Sequence, residues 1–255
     1  MLVFFQFSYI IIKNVDEAFT FIATNYVRSK CLQAGSSCCE IPCDTITIKA
    51  GVHTLRRKAD LLVMKQLIYL DNAATTKTRP DVVEAMLPYF TEYYGNPSSV
   101  YEFSAEPKRA IAQARETIAK ALGAKSNEIY FTYGGTESDN WALISTAEAY
   151  QAKGKHIITT KIEHHAILHT CEYLEQRGFE VTYLDVDEFG VVKLDELEKA
   201  IRPDTILISV MFANNEIGTI EPIKEIGEIA KKHGILFHTD AVQAFCHVPI
   251  NVDEC

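Results

Sequence analysis

Along most of this chain the apolar positions switch back and forth between two periods. Ile111, Ala114, Ile118 and Leu122 recur at the three- and four-residue spacing of one helical face, which predicts a helix over 104–122 ended by Gly123 as a C′ glycine. Further helical patterns are predicted over 80–94, from about 136, and over 164–177, 193–201 and 222–233. Between them lie short apolar runs bounded by polar or turn residues, read as strands at 68–70, 128–132, 156–160, 180–184, 205–212 and 235–240. Strands alternating with helices of this length predict an α/β fold, a mostly parallel sheet flanked by helices on both faces. Residues 1–63 carry no such rhythm, so the chain divides into an N-terminal extension, 1–63, and a regular domain, 64–255.

In sheets of this kind a ligand sits outside the carboxyl ends of the strands. The polar clusters fall there. Asp-Asn-Ala-Ala-Thr-Thr (71–76) follows the first strand, and Gly-Gly-Thr-Glu-Ser (134–138) follows the second. Glu-His-His (163–165), Asn-Asn-Glu-Ile-Gly (214–218) and Asp-Ala-Val-Gln (240–243) follow later ones. Each is weak alone, because a glycine-rich turn is usually only a turn and a strand-end Asp is usually a helix cap. Together they predict one crevice.

Composition narrows the class. The chain has 255 residues, 47% of them hydrophobic, enough for a sizeable core. A net charge of −9 offers no basic stripe to neutralise phosphates, so nucleic acid is not an expected partner. The first 13 residues lack a basic start and a clean cleavage site, and they are too short to span a bilayer. No membrane partner is expected, and the location expected is cytoplasmic. Cys31, Cys38, Cys39 and Cys43 crowd one stretch without regular metal-ligand spacing or a nearby His, so no metal site is expected.

The ordered motifs, with Tyr-Gly-Asn-Pro-Ser-Ser (94–99) and the block opening at Met64, closely resemble the cysteine desulfurase family of NifS/IscS type. That family lies in the class-V aminotransferase group of fold-type I enzymes that use pyridoxal 5′-phosphate. The resemblance implies the aspartate-aminotransferase-like large domain, and pyridoxal 5′-phosphate as cofactor. Gly135 and Thr136 would hold its phosphate at a helix N-terminus. Asp240 would face the pyridine nitrogen, and Asn215 and Gln243 would bond the phenolic oxygen. His164 would stack on the ring and shuttle protons. Glu137 and Glu216 would act one layer further out.

The activity implied is conversion of L-cysteine to L-alanine, leaving persulfide sulfur on the enzyme for iron–sulfur scaffold or thiolation partners. The protein expected is a homodimer. Tyr101, Tyr133 and Asp139 depart from the family pattern, which usually has His, Ser and Asn there, and Tyr133 adds bulk beside the phosphate loop. The resemblance places the Schiff-base lysine and the nucleophilic cysteine after Cys255, so the chain by itself is expected to be inactive. The alternatives are a non-catalytic binding or regulatory protein of the same fold, another class-V aminotransferase, or a selenocysteine lyase.

Overall fold

A computed structural model describes residues 2–4 and 68–254. The cysteines at 31–43, the block opening at Met64, the boundary drawn there and Cys255 lie outside the described residues. The chain forms two compact units, Ile11–Phe90 and a larger one comprising Met1–Ile10 with Thr91–Cys255.

In the smaller unit, residues 68–70 are not paired as a strand, and Ile68 and Leu70 are exposed. The Asp71 carbonyl accepts from Ala74 N and Thr75 N, so the polar motif begins as a turn. The helix expected over 80–94 is broken in two, α1 (Pro80–Met86) and α2 (Pro88–Thr91). Pro88 explains the break, because it has no N–H to continue the ladder and its ring clashes with the carbonyl four residues back.

The larger unit holds the sheet. After a 3₁₀ turn at Glu102–Ser104 comes α3 (Ala105–Leu122). Gly123 closes it at φ 69°, a left-handed conformation suited to glycine, and its N–H reaches back to the Ala119 and Lys120 carbonyls. Then follow α4 (Gly135–Tyr150), α5 (His165–Glu175), α6 (Leu194–Ala200) and α7 (Ile223–His233). They alternate with β2 (His156–Thr160), β3 (Glu180–Leu184), β4 (Thr205–Ser209) and β5 (Leu236–Asp240). Residues Leu2–Phe4 form β1, parallel to β5. The strand order is β1-β5-β4-β2-β3, and every pairing is parallel.

The expected strand 128–132 is absent. Residues Ser126–Glu128 form a 3₁₀ turn, and Ile129 is extended but spends its carbonyl on the Arg115 guanidinium. Tyr130 and Phe131 remain exposed, held locally by an edge-to-face contact with Trp141 and by the Arg115 cation. An extended segment whose carbonyl is taken by a side chain has one ladder position fewer to offer.

Alternate residues of β2 and β4 feed two cores. Ile158 and Ile208 pack with Ile118 and Leu122 of α3, Leu197 of α6 and Ile226 of α7. Ile157 and Leu207 pack with Leu143 and Ala147 of α4 and with Ile167 and Leu174 of α5. A parallel sheet covered on both faces is buried at every strand position, and β2 and β4 are buried throughout, polar His156, Thr159 and Thr160 included. Among the described residues, no helix is long and apolar enough to cross a membrane.

Candidate functional site

The carboxyl ends of β2, β4 and β5 set the site. Helix α4 opens on Gly134–Gly135 with no side-chain cap on its first N–H groups. Its entrance is shaped from within, since Thr132 Oγ1 bonds Ser138 Oγ at 2.7 Å and the Glu137 carboxylate accepts from Tyr133 N at 2.6 Å. Glu137 therefore fastens the turn rather than facing a ligand. Tyr133 points into solvent, 83% exposed, so its bulk does not fill the helix entrance.

Helix α5 begins beside it. His164 is its N-cap, and Nδ1 accepts from Ala166 N at 3.1 Å. An accepting Nδ1 in a neutral ring puts the proton on Nε2. Thr136, Asn140, His164, His165, His169 and Thr170 line a groove of about 480 Å³ between the two helices. Sequence reasoning passed over His165 and His169, yet both line it; their i, i+4 spacing on a helix is the signal that was available.

The Asn214 side chain ties the loop after β4 to the segment after β2. Asn214 Nδ2 donates to the Ile162 carbonyl at 3.0 Å, and Oδ1 accepts from Glu216 N at 2.8 Å and Ile217 N at 3.1 Å. Asn215, half-buried, follows it, while Glu216 is exposed. Gln243 is also exposed, in the turn after β5. Asp240 ends β5 nearly buried, with Oδ1 accepting from Val242 N at 3.0 Å. Of the expected residues, Thr136 and His164 share the groove; Gly135, Asn215, Asp240 and Gln243 stand at neighbouring strand and helix ends outside its lining.

Beneath them lies a layer of which sequence reasoning marked only Asp139, as a departure from the family pattern. Glu163 is 4% exposed; its Oε1 accepts from Thr160 Oγ1 at 2.7 Å and Met211 N at 2.9 Å, and so ties the ends of β2 and β4 together. Asp139 of α4 is 1% exposed, with Oδ1 3.6 Å from His238 Nε2. His238 Nδ1 lies 2.9 Å from Ser209 Oγ.

Burial pushes the Glu163 carboxyl up to about 8; its hydrogen bonds oppose the shift, and the charges of Asp240 and Glu221 add to it. Burial, then repulsion from Asp240 and Glu163, pushes Asp139 up to about 8. Asp240 is also raised by burial, against the pull of Val242 N and His164. Burial pushes the His238 imidazole down to about 3, so it is neutral.

Comparison with known proteins fits this geometry. Residues 68–255 match the family model described as aminotransferase class-V. Over 187 residues the chain is 68% identical to a cysteine desulfurase IscS of Methanosarcina thermophila, covering 73% of this chain and 46% of that protein. It is 61% identical over 191 residues to a cysteine desulfurase IscS of Clostridium botulinum (strain Kyoto / Type A2), covering 75% and 48%. The chain thus spans about half the length of these relatives. Among solved structures, a NifS-like protein superimposes with a TM-score of 0.71 at 45% identity, covering 73% of this chain and 52% of that one. SspA in complex with cysteine superimposes with a TM-score of 0.72 at 44% identity, covering 74% and 54%. On these matches, and on the parallel sheet whose polar motifs gather at its strand ends, the chain belongs to the class-V aminotransferase family.

Proposed function

We propose that this chain forms the cofactor-binding part of a pyridoxal-phosphate-dependent cysteine desulfurase. The observation that carries the reading is the shared groove of Thr136 and His164, with a nearly buried carboxyl, Asp240, at a neighbouring strand end. The donor set suits the cofactor. Uncapped N–H groups at the start of α4 and the Thr136 hydroxyl suit a phosphate, because the helix dipole and the unbonded donors both favour an anion there. Asp240 suits a protonated pyridine nitrogen, since a carboxylate in a dry setting stabilises an adjacent cation strongly.

When bound, pyridoxal 5′-phosphate supplies the electron sink for carbanion chemistry at the substrate Cα. The chain's own residues do the rest. Helix α4 binds and orients the phosphate. Asp240 keeps Oδ1 on Val242 N, which fixes the plane of the carboxyl and presents Oδ2. His164 holds a proton on Nε2, at the groove, while its Nδ1 is occupied by the cap. Asn214 holds the loop that carries Asn215. The Asn215 and Gln243 amides supply further hydrogen bonds to the ring oxygen.

The substrate proposed is L-cysteine, with L-alanine and enzyme-bound sulfur as products. An iron–sulfur scaffold or another sulfur acceptor takes the sulfur, and the working protein is a homodimer.

The test is an absorbance titration of the purified chain with pyridoxal 5′-phosphate, followed by borohydride reduction and peptide mapping. A saturable spectral change, weakened by Asp240→Asn and Thr136→Ala, is expected. A featureless titration overturns the reading.

A further inference from the structure

Asp240 is one of three carboxyls under the crevice, and the other two have no place in the scheme above. Glu163 Oε1 is fully used by Thr160 and Met211, while Glu163 Oε2 is buried with no hydrogen-bond partner. Asp139 Oδ1 is likewise buried without one. No cation of the described ion pairs serves either group; the only pairing is Asp139 with the His238 ring at 3.6 Å. An ionised carboxylate so placed would leave lone pairs unmet in a dry interior, a cost of several kcal/mol. Protonation removes the buried charge, and with it most of that cost.

We infer that Asp139 and Glu163 are proton-holding positioning residues, kept neutral so that, of these three carboxyls, Asp240 carries the negative charge. Three elements and two loops bring the groups together. Asp139 comes from α4, and Glu163 and His164 from the segment joining β2 to α5. Cys171 of α5 faces Glu163, and Glu221 follows β4. His238 and Asp240 share one face of β5, two residues apart. No Lys or Arg stands among them. Asp139, Glu163 and Asp240, with Glu221 a fourth carboxyl beside Glu163 and no Lys or Arg paired with them among the described residues, cannot all ionise, for the reason that two carboxylates sharing one site do not. Glu163 and Asp139 act through Asp240 and touch no substrate. The inference deepens the proposed function and rests on it for Asp240's role, while the protonation of Glu163 and Asp139 can be read without cofactor.

The sign is fixed by linkage. Burial raises the Glu163 carboxyl from 4.5 to about 8, so the folded chain binds a proton that the unfolded chain has released across that window. The stability it contributes is complete below pH 4.5 and is lost as pH rises towards 8.

The experiment follows denaturant unfolding of the full chain against pH for the parent, Glu163→Gln, Asp139→Asn and the pair. Each amide copies the protonated carboxyl and cannot ionise. The parent midpoint should fall as pH rises through this window, and each amide variant should flatten that fall. Parallel pH profiles in parent and variants would overturn the inference. Infrared absorption of the unmodified chain provides a second arm that needs no variant to fold. A protonated-carboxyl C=O band should persist at neutral pH and vanish above pH of about 8; its absence at neutral pH would overturn the inference.

With pyridoxal 5′-phosphate, affinity at neutral pH should be unchanged within about twofold in both amide variants, since RT ln 2 is about 0.4 kcal/mol. A tenfold loss in a folded variant would mean the ionised form is the one used, and would overturn the inference. If the parent binds no cofactor, the proposed function fails while the unfolding and infrared arms still decide the protonation.

Discussion

Thr136, His164 and Gln243 stand at the crevice rim with their side chains in solvent, whereas Asp139, Glu163, His238 and Asp240 lie beneath it, all below a tenth exposed. The rim is made of helix and loop beginnings, with hydrogen bonds that close within a few residues, such as His164 to Ala166 and Tyr133 to Glu137. The floor is drawn from β5, from α4 and from the segment after β2, with hydrogen bonds that tie distant segments, such as Glu163 to Met211. The difference separates two jobs. A rim residue can change and alter ligand binding with little effect on the fold. A floor residue takes part in both, because its polar atoms hold the sheet ends in register and set the charge that the rim sees.

Four outcomes sharpen or break that division. The largest effect belongs to the sheet under the floor. Leu207→Ala, at a residue 1% exposed, should lower unfolding stability by about 2–5 kcal/mol in denaturant titration. A loss under about 1 kcal/mol would show that β4 is not the support described.

Second comes the floor's acid side. Burial lowers His238 from 6.5 to about 3, so its contribution is complete above pH 6.5 and is lost as pH falls through that interval. His238→Asn should make stability less sensitive to acid there, measured as the midpoint at successive pH values. Glu163 and Asp139 erode stability in the opposite direction, as pH rises, so the parent chain should be most stable at intermediate pH.

Third, if Asp240 holds the pyridine nitrogen as proposed, Asp240→Asn removes a charge-assisted hydrogen bond and should weaken pyridoxal 5′-phosphate by roughly 10- to 100-fold, or about 1.5–3 kcal/mol, in equilibrium titration. Smallest are the rim changes. Thr136→Ala should cost about 1 kcal/mol of cofactor affinity, and Gln243→Ala should leave stability within about 0.5 kcal/mol. A rim substitution that unfolds the chain would erase the distinction.

Much of this was legible in the sequence, and what was not has physical reasons. The β2, β3, β4 and β5 strands and the α3 helix with its Gly123 stop follow directly from period and punctuation. The motif at 134–138 opens a helix as expected, and Asp240 ends a strand as expected. The run at 128–132 has the apolar content of a strand, but periodicity cannot show that Arg115 takes the Ile129 carbonyl. The floor was hidden for a similar reason. Glu163 sits in plain view beside His164, yet its partners Thr160 and Met211 converge only when β2 and β4 pair. Asp139 stands out in the sequence as a departure from the family's Asn, but its partner His238, 3.6 Å away, is 99 residues distant in the chain and shows only in the fold.

The bond from Asn214 to the Ile162 carbonyl spans 52 residues of chain, and the bond from Glu163 to Met211 spans 48. Neither can form in a nascent or half-collapsed chain, because the loop between the partners must first be closed, and the entropy of that closure is repaid only once β2 and β4 are side by side. Helices α4 and α5 carry their own local bonds and need no such wait. Loop-closure entropy therefore favours an order in which the helical walls form before the loop is fastened. The last latch is the asparagine whose release would loosen the 214–218 loop while leaving both cores intact.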